Sequence, residues 1–524
     1  MQTAYDLIWL SAERTPDHLA LVDDLTERAL SYRALIEEID AVAAGLAERG
    51  VTAGQRVATA LPGLFDHGVV TLALQRLGAV PALMNFRLDA ADIAGLIRQG
   101  GIGGAVIPSD PDLAAAMAGE LPDGAPLLAV GGAVGPASDY AACRGDPAQL
   151  LPLPRPGRED EAFIFYTSGT TGLPKGVVLA QRTTEHRILW LSTQAGLRHG
   201  NHNRALGFMP LSHAIGYYGV FLATLGLGGT YYVMSAFQPQ KAVEMAERYA
   251  ITYMFAIPTL YHAMTMAPGY APERLASLEV VLYGGAAIEP ELVRHMDDNW
   301  GGTVRHIYGT TETMCSLYNP DPVEAPAKLR PGFYSRTRAI QLGGGPDDLV
   351  AAGEEGELII DATADTIFSG YLNRPEASAK KMKDGWYWSG DIVVAEPDGD
   401  LTLCGRVDDM IRSGGESLHP EEVEAVLDLH PGVAESSVIG LDDPHWGQIV
   451  VACVVRSDDE VDVAALDAHC RASSLAGYKR PKAYLTVSSL PRNAAGKVLR
   501  RLLRDTAADA RKGSDEAVFE AVVS

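Results

Sequence analysis

The chain has 524 residues, 47% hydrophobic and 21% charged, with a formal net charge of −24. That length exceeds a single core, so about two to four domains are expected, and the composition is globular, without long disorder. The acidic balance excludes a nucleic-acid-coating role, which needs a basic footprint, but local lysines, arginines and backbone amides can still hold small anions.

The first stretch, "MQTAYDLIWLSAERTPD", mixes acids with apolar residues at helical spacing and has no basic n-region, so it is not a secretory signal. From about residue 30, apolar bursts alternate with amphipathic helices: "LSYRALIEEIDAVAAGLAERG", "RVATALP", "HGVVTLALQRLGAVPALMN". Short apolar strands separated by helices predict a layered α/β architecture. Residues 101–158, rich in Gly, Ala, Pro and Asp, read as a variable surface region with short elements. From Ala205 to Gln240 there is no Asp, Glu, Lys or Arg, yet Pro210, His213 and several glycines interrupt the stretch. A spanning helix needs about 20 uninterrupted apolar residues, so this is core and not membrane.

"ITYMFAIP" and "SLEVVLYGGA" read as buried strands, and "HIYGTTETM" as a strand leading into a turn. A second unit begins near residue 405. Its helix, "HPEEVEAVLDLHPGV", puts Val423, Val426 and Leu427 on one face and is stopped by Pro431-Gly432. Two strands and another helix follow, "AESSVIGLDD", "QIVVACVVR" and "VAALDAHCRASSL", making a small α+β domain of about 110 residues. The expected fold is thus α/β: a large multi-subdomain N-terminal domain, 1–407, of layered sheets and helices, and a small mobile α+β C-terminal domain, 408–524. The five cysteines, Cys143, Cys315, Cys404, Cys453 and Cys470, form no C-x-x-C pair, which argues against a zinc site or a disulfide framework and for a reducing, cytoplasmic location. No pattern fixes the oligomeric state; a homodimer is allowed.

The stretch "FYTSGTTGLPKGV", residues 165–177, combines hydroxyls, glycines and one lysine. A Walker loop needs G-x-x-x-x-G-K-[ST]. Here Gly169 and Gly172 are too close, Pro174 precedes Lys175, and Gly176 follows it. Proline also removes an amide where such a loop needs one. The hydroxyls of Ser168, Thr170 and Thr171, with glycines that allow close backbone approach, still suit phosphate.

With "YGTTET" (308–313), "GWYWSGD" (385–391), "GRVDDMIRSGGESLHPEEVE" (405–424) and "LPRNAAGKVLRR" (490–501) following in order, the chain resembles the adenylate-forming superfamily of acyl- and aryl-CoA ligases, luciferases and carrier-protein-loading adenylation domains. The resemblance covers nearly the whole chain and implies a reaction in two halves. A carboxylate first attacks the α-phosphate of ATP, and a thiol, here coenzyme A, then displaces AMP. It implies that Thr167, Ser168, Gly169, Thr170, Thr171, Gly172 and Lys175 hold the β,γ-phosphates, that Glu312 holds Mg2+, and that Thr311 touches the α-phosphate. Gly284, Gly285, Ala286 and Tyr308 would lie along the adenine, and Asp391 and Arg406 would take the ribose hydroxyls. Lys497 would bridge substrate carboxylate and α-phosphate, then withdraw by rotation at the hinge, Asp408. Gly414 and Gly415 would line the pantetheine channel, and Trp446, Tyr478, Arg480 and Lys482, with Arg87, would cradle the CoA nucleotide.

Within the superfamily, "LSTQAGLRHG", "YGTTETMCSLYNP", "GRVDDMI" and "WGQIVVACVV" are similar to bacterial 4-chlorobenzoate–CoA ligases. The matching acid-pocket positions are Trp190, His213, Ala214, Ile215, Phe255, Gly285, Ile307, Gly309, Met314 and Cys315. Apolar walls suit a flat aromatic carboxylic acid with an apolar para substituent. Trp190, Ala214 and Cys315 depart from the family's smaller aromatic, valine and asparagine, which reopens the choice of ring substituent. The alternatives are a CoA ligase for another aromatic or alicyclic acid, a stand-alone adenylation domain loading a carrier protein, a luciferase-like oxygenase and a non-catalytic nucleotide sensor. The CoA-cradling positions argue against the carrier-protein reading, and the presence of Lys497 and Glu312 against the sensor.

Overall fold

The computed structural model describes residues 3–153, 155–167, 174–286, 288–457, 462–492, 498–511 and 518–520. They divide into two units, one of Met1–Thr337 with Ile360–Tyr387, the other of Arg338–Ile359 with Trp388–Ser524.

The larger unit is built on two sheets. In the first, Glu161–Thr167, Val80–Leu83, Arg56–Thr59, Ala105–Pro108 and Leu127–Val130 are parallel neighbours in that order. Lys175–Ala180 runs antiparallel to Glu161–Thr167, and Gly370–Tyr371 pairs on its far side. In the second, Thr303–Tyr308, Val280–Gly284, Tyr253–Ala256, Arg204–Gly207, Thr230–Val233 and Leu19–Asp23 are parallel neighbours. Parallel strands cannot be joined by tight turns, so helices such as Leu64–Arg76, Pro239–Arg248, Pro258–Thr265 and Pro290–Asn299 carry the crossovers. Met254, Val281 and Val304 enter one core while the register pair Phe255 and Leu282 faces the other way. Burial on both faces is why these strands read as unbroken apolar runs.

The charge-free stretch lies between the sheets. Ile215–Leu222 winds as a wide π-helical turn. The Tyr217 ring lies 4.9 Å from that of Phe163 in the first sheet, and Phe221 lies 5.2 Å from Tyr231 in the second. Tyr253 donates to the Gly219 carbonyl at 2.5 Å. A Cβ at Gly216 would fall 2.2 Å from the Pro210 carbonyl oxygen, so only glycine fits that layer. No helix among the described residues is long and apolar enough to cross a membrane.

Residues 101–158 differ from expectation. They contribute Ala105–Pro108, Leu127–Val130 and the short Ser138–Asp139 to the first sheet, and the helix Pro111–Ala118. Ile107, Leu113, Met117 and Leu127 are core. The strands are four-residue apolar bursts between glycines and prolines, too short to show a period.

In the smaller unit, Val433–Asp443 and Gly447–Arg456 form a long antiparallel pair, and Ala483–Thr486 adds in parallel. The helices Pro420–Leu427 and Val463–Ala472 cover one face through Val423, Leu427, Leu466 and Cys470. Arg500–Arg511 covers the other through Leu503 and Ala507, which is α+β architecture with a core on each side. At the start of that last helix, Arg500 bonds Asp409 at 3.1 Å, Glu421 at 3.0 Å and Glu424 at 2.9 Å. Burial would raise the pKa of Asp409, but Arg500 and Arg504 outweigh it and hold the carboxyl below its usual range. All five cysteines are free thiols, and burial pushes each of them up in pKa.

Two histidines of the larger unit are enclosed. His67 meets the Thr59 hydroxyl at 2.9 Å, and His306 stacks on Tyr283 at 4.6 Å. Burial pulls both down to about 4. The unfolded chain therefore takes up protons between about pH 6.5 and 4 that the folded chain refuses, and stability is lost as pH falls through that window, by up to about 1.4 kcal/mol per pH unit for each histidine. Urea midpoints measured from pH 4 to 7 should rise with pH and flatten above about 6.5, and His67→Gln should remove its share of the slope.

Candidate active site

In parallel sheets, ligands collect beyond the carboxyl ends of the strands. At that edge of the second sheet lie Gly284, Gly285 and Ala286 after Val280–Gly284, and Tyr308 and Gly309 at the end of Thr303–Tyr308. The chain from Tyr308 to Ser316 closes into a tight turn. Met314 donates to the Thr310 carbonyl at 2.6 Å, and Ser316 to that of Tyr308 at 2.9 Å. A Cβ at Gly309 would fall 1.2 Å from the Met314 carbonyl oxygen, and Met314 itself takes a left-handed φ of 60°. No other residue type fits position 309 without moving the turn.

This turn carries Thr311 and Glu312. Glu312 is only 8% exposed, and its Oε1 accepts from the Tyr371 hydroxyl at 2.7 Å. Its backbone carbonyl accepts from Phe368 N–H at 2.8 Å. The Lys175 ammonium lies 5.3 Å from the Tyr371 ring centroid. Thr167 and Lys175 are register partners at the base of the hydroxyl-rich loop; Ser168, Gly169, Thr170, Thr171 and Gly172 lie outside the described residues, as does Lys497. Sequence reasoning missed two residues of this cluster. Tyr371 has as its local signal only the Gly-Tyr step of "SGYLNRP". Arg187, whose Nη2 donates to the Thr311 carbonyl at 3.1 Å, has none.

Several of the predicted acid-pocket residues gather at Gly285. A Cβ there would lie 3.8 Å from Ile215 Cδ1, and one at Gly284 would lie 3.6 Å from Phe255 Cε2 and 2.3 Å from the Ile307 carbonyl oxygen. Ala214, Met314 and Cys315 are buried. Trp190 stands edge-on to Tyr318, at 6.0 Å, and Tyr318 is the register partner of Ile307. A Cβ at Gly332 would fall 2.5 Å from the Trp190 Nε1, so that glycine makes room for the indole. Burial first, and then the charge of Arg87, bring His213 down to about 4, leaving it neutral at pH 7. Burial pushes Cys315 up to about 12, so it supplies no thiolate.

In the smaller unit, Asp391 and Arg406 are register partners on adjacent strands and bond at 2.7 Å. Asp408 follows two residues later. Gly414 (φ 62°) lies against Trp446, where a Cβ would meet Cε3 at 3.0 Å; Gly415 also has positive φ, 88°. The Lys482 ammonium sits 4.1 Å from the Trp446 ring centroid, and that ring is 40% exposed. An exposed aromatic and cation held together can stack on a base and pair with phosphate. Tyr478 is also exposed, while Arg480 Nε is turned onto the Leu475 carbonyl at 3.1 Å.

Two family models match the chain: AMP-binding enzyme over residues 8–372 and AMP-binding enzyme C-terminal domain over residues 422–497. The chain belongs to the AMP-binding enzyme family. It is 44% identical to a 4-chlorobenzoate–CoA ligase of Arthrobacter sp., over 96% of this chain and 95% of that one. The 4-chlorobenzoate–CoA ligase of Pseudomonas sp. (strain CBS-3) is 39% identical over 96% of this chain and 94% of its own. Among solved structures, ATP-bound MatB from Rhodopseudomonas palustris matches with a TM-score of 0.85 at 25% identity, covering 97% of this chain and 99% of that one.

Removing the hydroxyl in Tyr371→Phe takes this donor from Glu312 Oε1 and costs about 1.5 to 3 kcal/mol for a bond to a charged acceptor. If Glu312 holds magnesium, as proposed below, activity titrated against magnesium should show a higher half-saturating concentration. Gly309→Ala should abolish activity outright and lower the melting temperature, since its Cβ collides with backbone.

Proposed function

We propose that the chain is an AMP-forming aryl-CoA ligase that activates a para-substituted benzoate, with 4-chlorobenzoate as the first candidate. The observation that carries the reading is the chain-long 44% identity to an enzyme of that name. The approach of Ile215 to Gly285 and of Phe255 and Ile307 to Gly284, with Met314 and Cys315 buried, supports it, because a ring with polar substituents would leave them unpaired beside apolar walls.

ATP and coenzyme A are co-substrates of CoA ligases of this family. In the first half-reaction a carboxylate oxygen attacks the α-phosphorus, the bond to the bridging oxygen breaks, and pyrophosphate leaves. In the second, the CoA sulfur attacks the acyl carbonyl, the thioester forms, and AMP leaves. An acyl-adenylate already has a good leaving group, so neutral His213 need not act as a base. The loop from Thr167 to Lys175 would bind the β,γ-phosphates and Thr311 the α-phosphate. Gly284, Gly285, Ala286 and Tyr308 would follow the adenine. Asp391 and Arg406 would take the ribose, and Gly414, Trp446 and Lys482 the CoA. Residues 1–407 and 408–524 would turn against one another at Asp408.

Glu312 fits magnesium. Its carboxylate is buried and accepts on one oxygen from Tyr371, and no group of three or more His, Cys, Asp and Glu side chains placed to hold a metal ion occurs among the described residues. Magnesium commonly takes one or two carboxylates and completes its shell with phosphate and water. Bound there, it would neutralise charge on the phosphates.

Incubation with 4-chlorobenzoate, ATP, magnesium and CoA should release AMP; turnover of fatty acids but of no benzoate would sink the substrate assignment. A screen of para-substituted benzoates by pyrophosphate release identifies the substituent that Trp190, Ala214 and Cys315 accept. Lys497→Ala should cripple adenylate formation and spare thioester formation from supplied aryl-adenylate, and equal loss of both would contradict a bridging lysine.

A further inference from the structure

Arg187, on the helix Arg182–Trp190, is completely enclosed. A guanidinium this deep is ordinarily met by a carboxylate, because its desolvation costs several kcal/mol. Here it meets carbonyls instead. Nε and Nη2 donate to Thr366 at 3.3 and 2.9 Å, and Nη2 also donates to Thr311 at 3.1 Å. The guanidinium carbon lies 5.0 Å from the Tyr218 ring centroid, and Nη1 finds no partner among the described residues. Burial brings its pKa down to about 10, against the opposing fields of Tyr218, Cys315 and Glu312, so it remains charged at neutral pH.

A neutral apolar side chain would fill this space at less cost, so packing alone does not account for an arginine. The two carbonyls it holds belong to the two segments that seat Glu312. Thr311 immediately precedes that residue. Thr366 opens the stretch whose Phe368 N–H bonds the Glu312 carbonyl and whose Tyr371 hydroxyl bonds its carboxylate.

We infer that Arg187 is a positioning residue for metal-bound ATP, tying the Thr311–Glu312 turn to the 366–371 segment so that the carboxylate is presented in one place. The inference rests on Glu312 as the magnesium-binding carboxylate proposed above. Arg187 presents no exposed surface and acts through the Thr311 and Thr366 carbonyls.

Two variants test it. Arg187→Lys keeps the charge but cannot span both carbonyls, and Arg187→Met keeps the bulk without charge. Binding of a non-hydrolysable ATP analogue is measured by calorimetry in magnesium and in EDTA, beside thermal unfolding. In each folded variant the affinity in magnesium should fall about fivefold or more, while that in EDTA changes by less than about twofold. Adenylate formation should fall at least about tenfold, with thioester formation from supplied aryl-adenylate within about threefold. Equal losses with and without metal, or in both half-reactions, overturn the inference, as does wild-type metal dependence. Failure of both variants to fold assigns Arg187 to structure alone and also overturns it. Metal-dependent analogue binding by the unmodified enzyme without turnover of any benzoate removes only the substrate assignment, so the two failures are distinguishable.

Discussion

A carboxylate taken from water must be met by nearby donors or charge, and Glu312 is the place at the candidate site where this chain meets that demand. Tyr371 supplies a hydroxyl to one oxygen, and Lys175 stands over the Tyr371 ring. The turn that carries Glu312 closes only because Gly309 has no side chain to strike the Met314 carbonyl. Strand ends, glycine turn and aromatic hydroxyl therefore converge on one acid. A change at any of them reaches the Glu312 carboxylate.

The same economy governs the core between the sheets. Tyr217, Tyr218 and Phe221 fill it from a widened turn, with glycines at 216 and 219 where backbone or ring comes close. Arg187 reaches into this region and lies over Tyr218, so the aromatic layer also forms one wall of the guanidinium's seat. Packing and site are one continuous piece of structure here, and volume changes in the layer would be felt at the turn.

Much of this was legible in the residues themselves. The strand before "GTTETM", the strands "AESSVIGLDD" and "QIVVACVVR", and the uncharged core stretch all announce themselves through composition and spacing, and they appear as read. The stretch "FYTSGTTGLPKGV" and the motif order led to the family. What stayed hidden has a common cause, because it depends on contacts distant in sequence. Arg187 looks like any helical arginine until Thr311 and Thr366, more than a hundred residues away, are brought to it. Tyr371 gains its partner from residue 312. The strands within 101–158 belong to a sheet whose other members lie on either side of them in sequence, and four apolar residues carry too little pattern to reveal that. The helix beginning at Pro420 ends at Leu427, before the Pro431-Gly432 signal, because strand Val433–Asp443 must begin just beyond.

The cysteines carry a chemical consequence of their own. Each is held as a protonated thiol by its surroundings, Cys315 and Cys453 at about 12 and Cys404 at about 11. Disulfide exchange requires a thiolate. A protein that takes a free thiol as co-substrate thereby presents little attacking thiolate of its own at these positions. Raised thiol pKa values disfavour mixed-disulfide capture while leaving cysteine available as a packing residue.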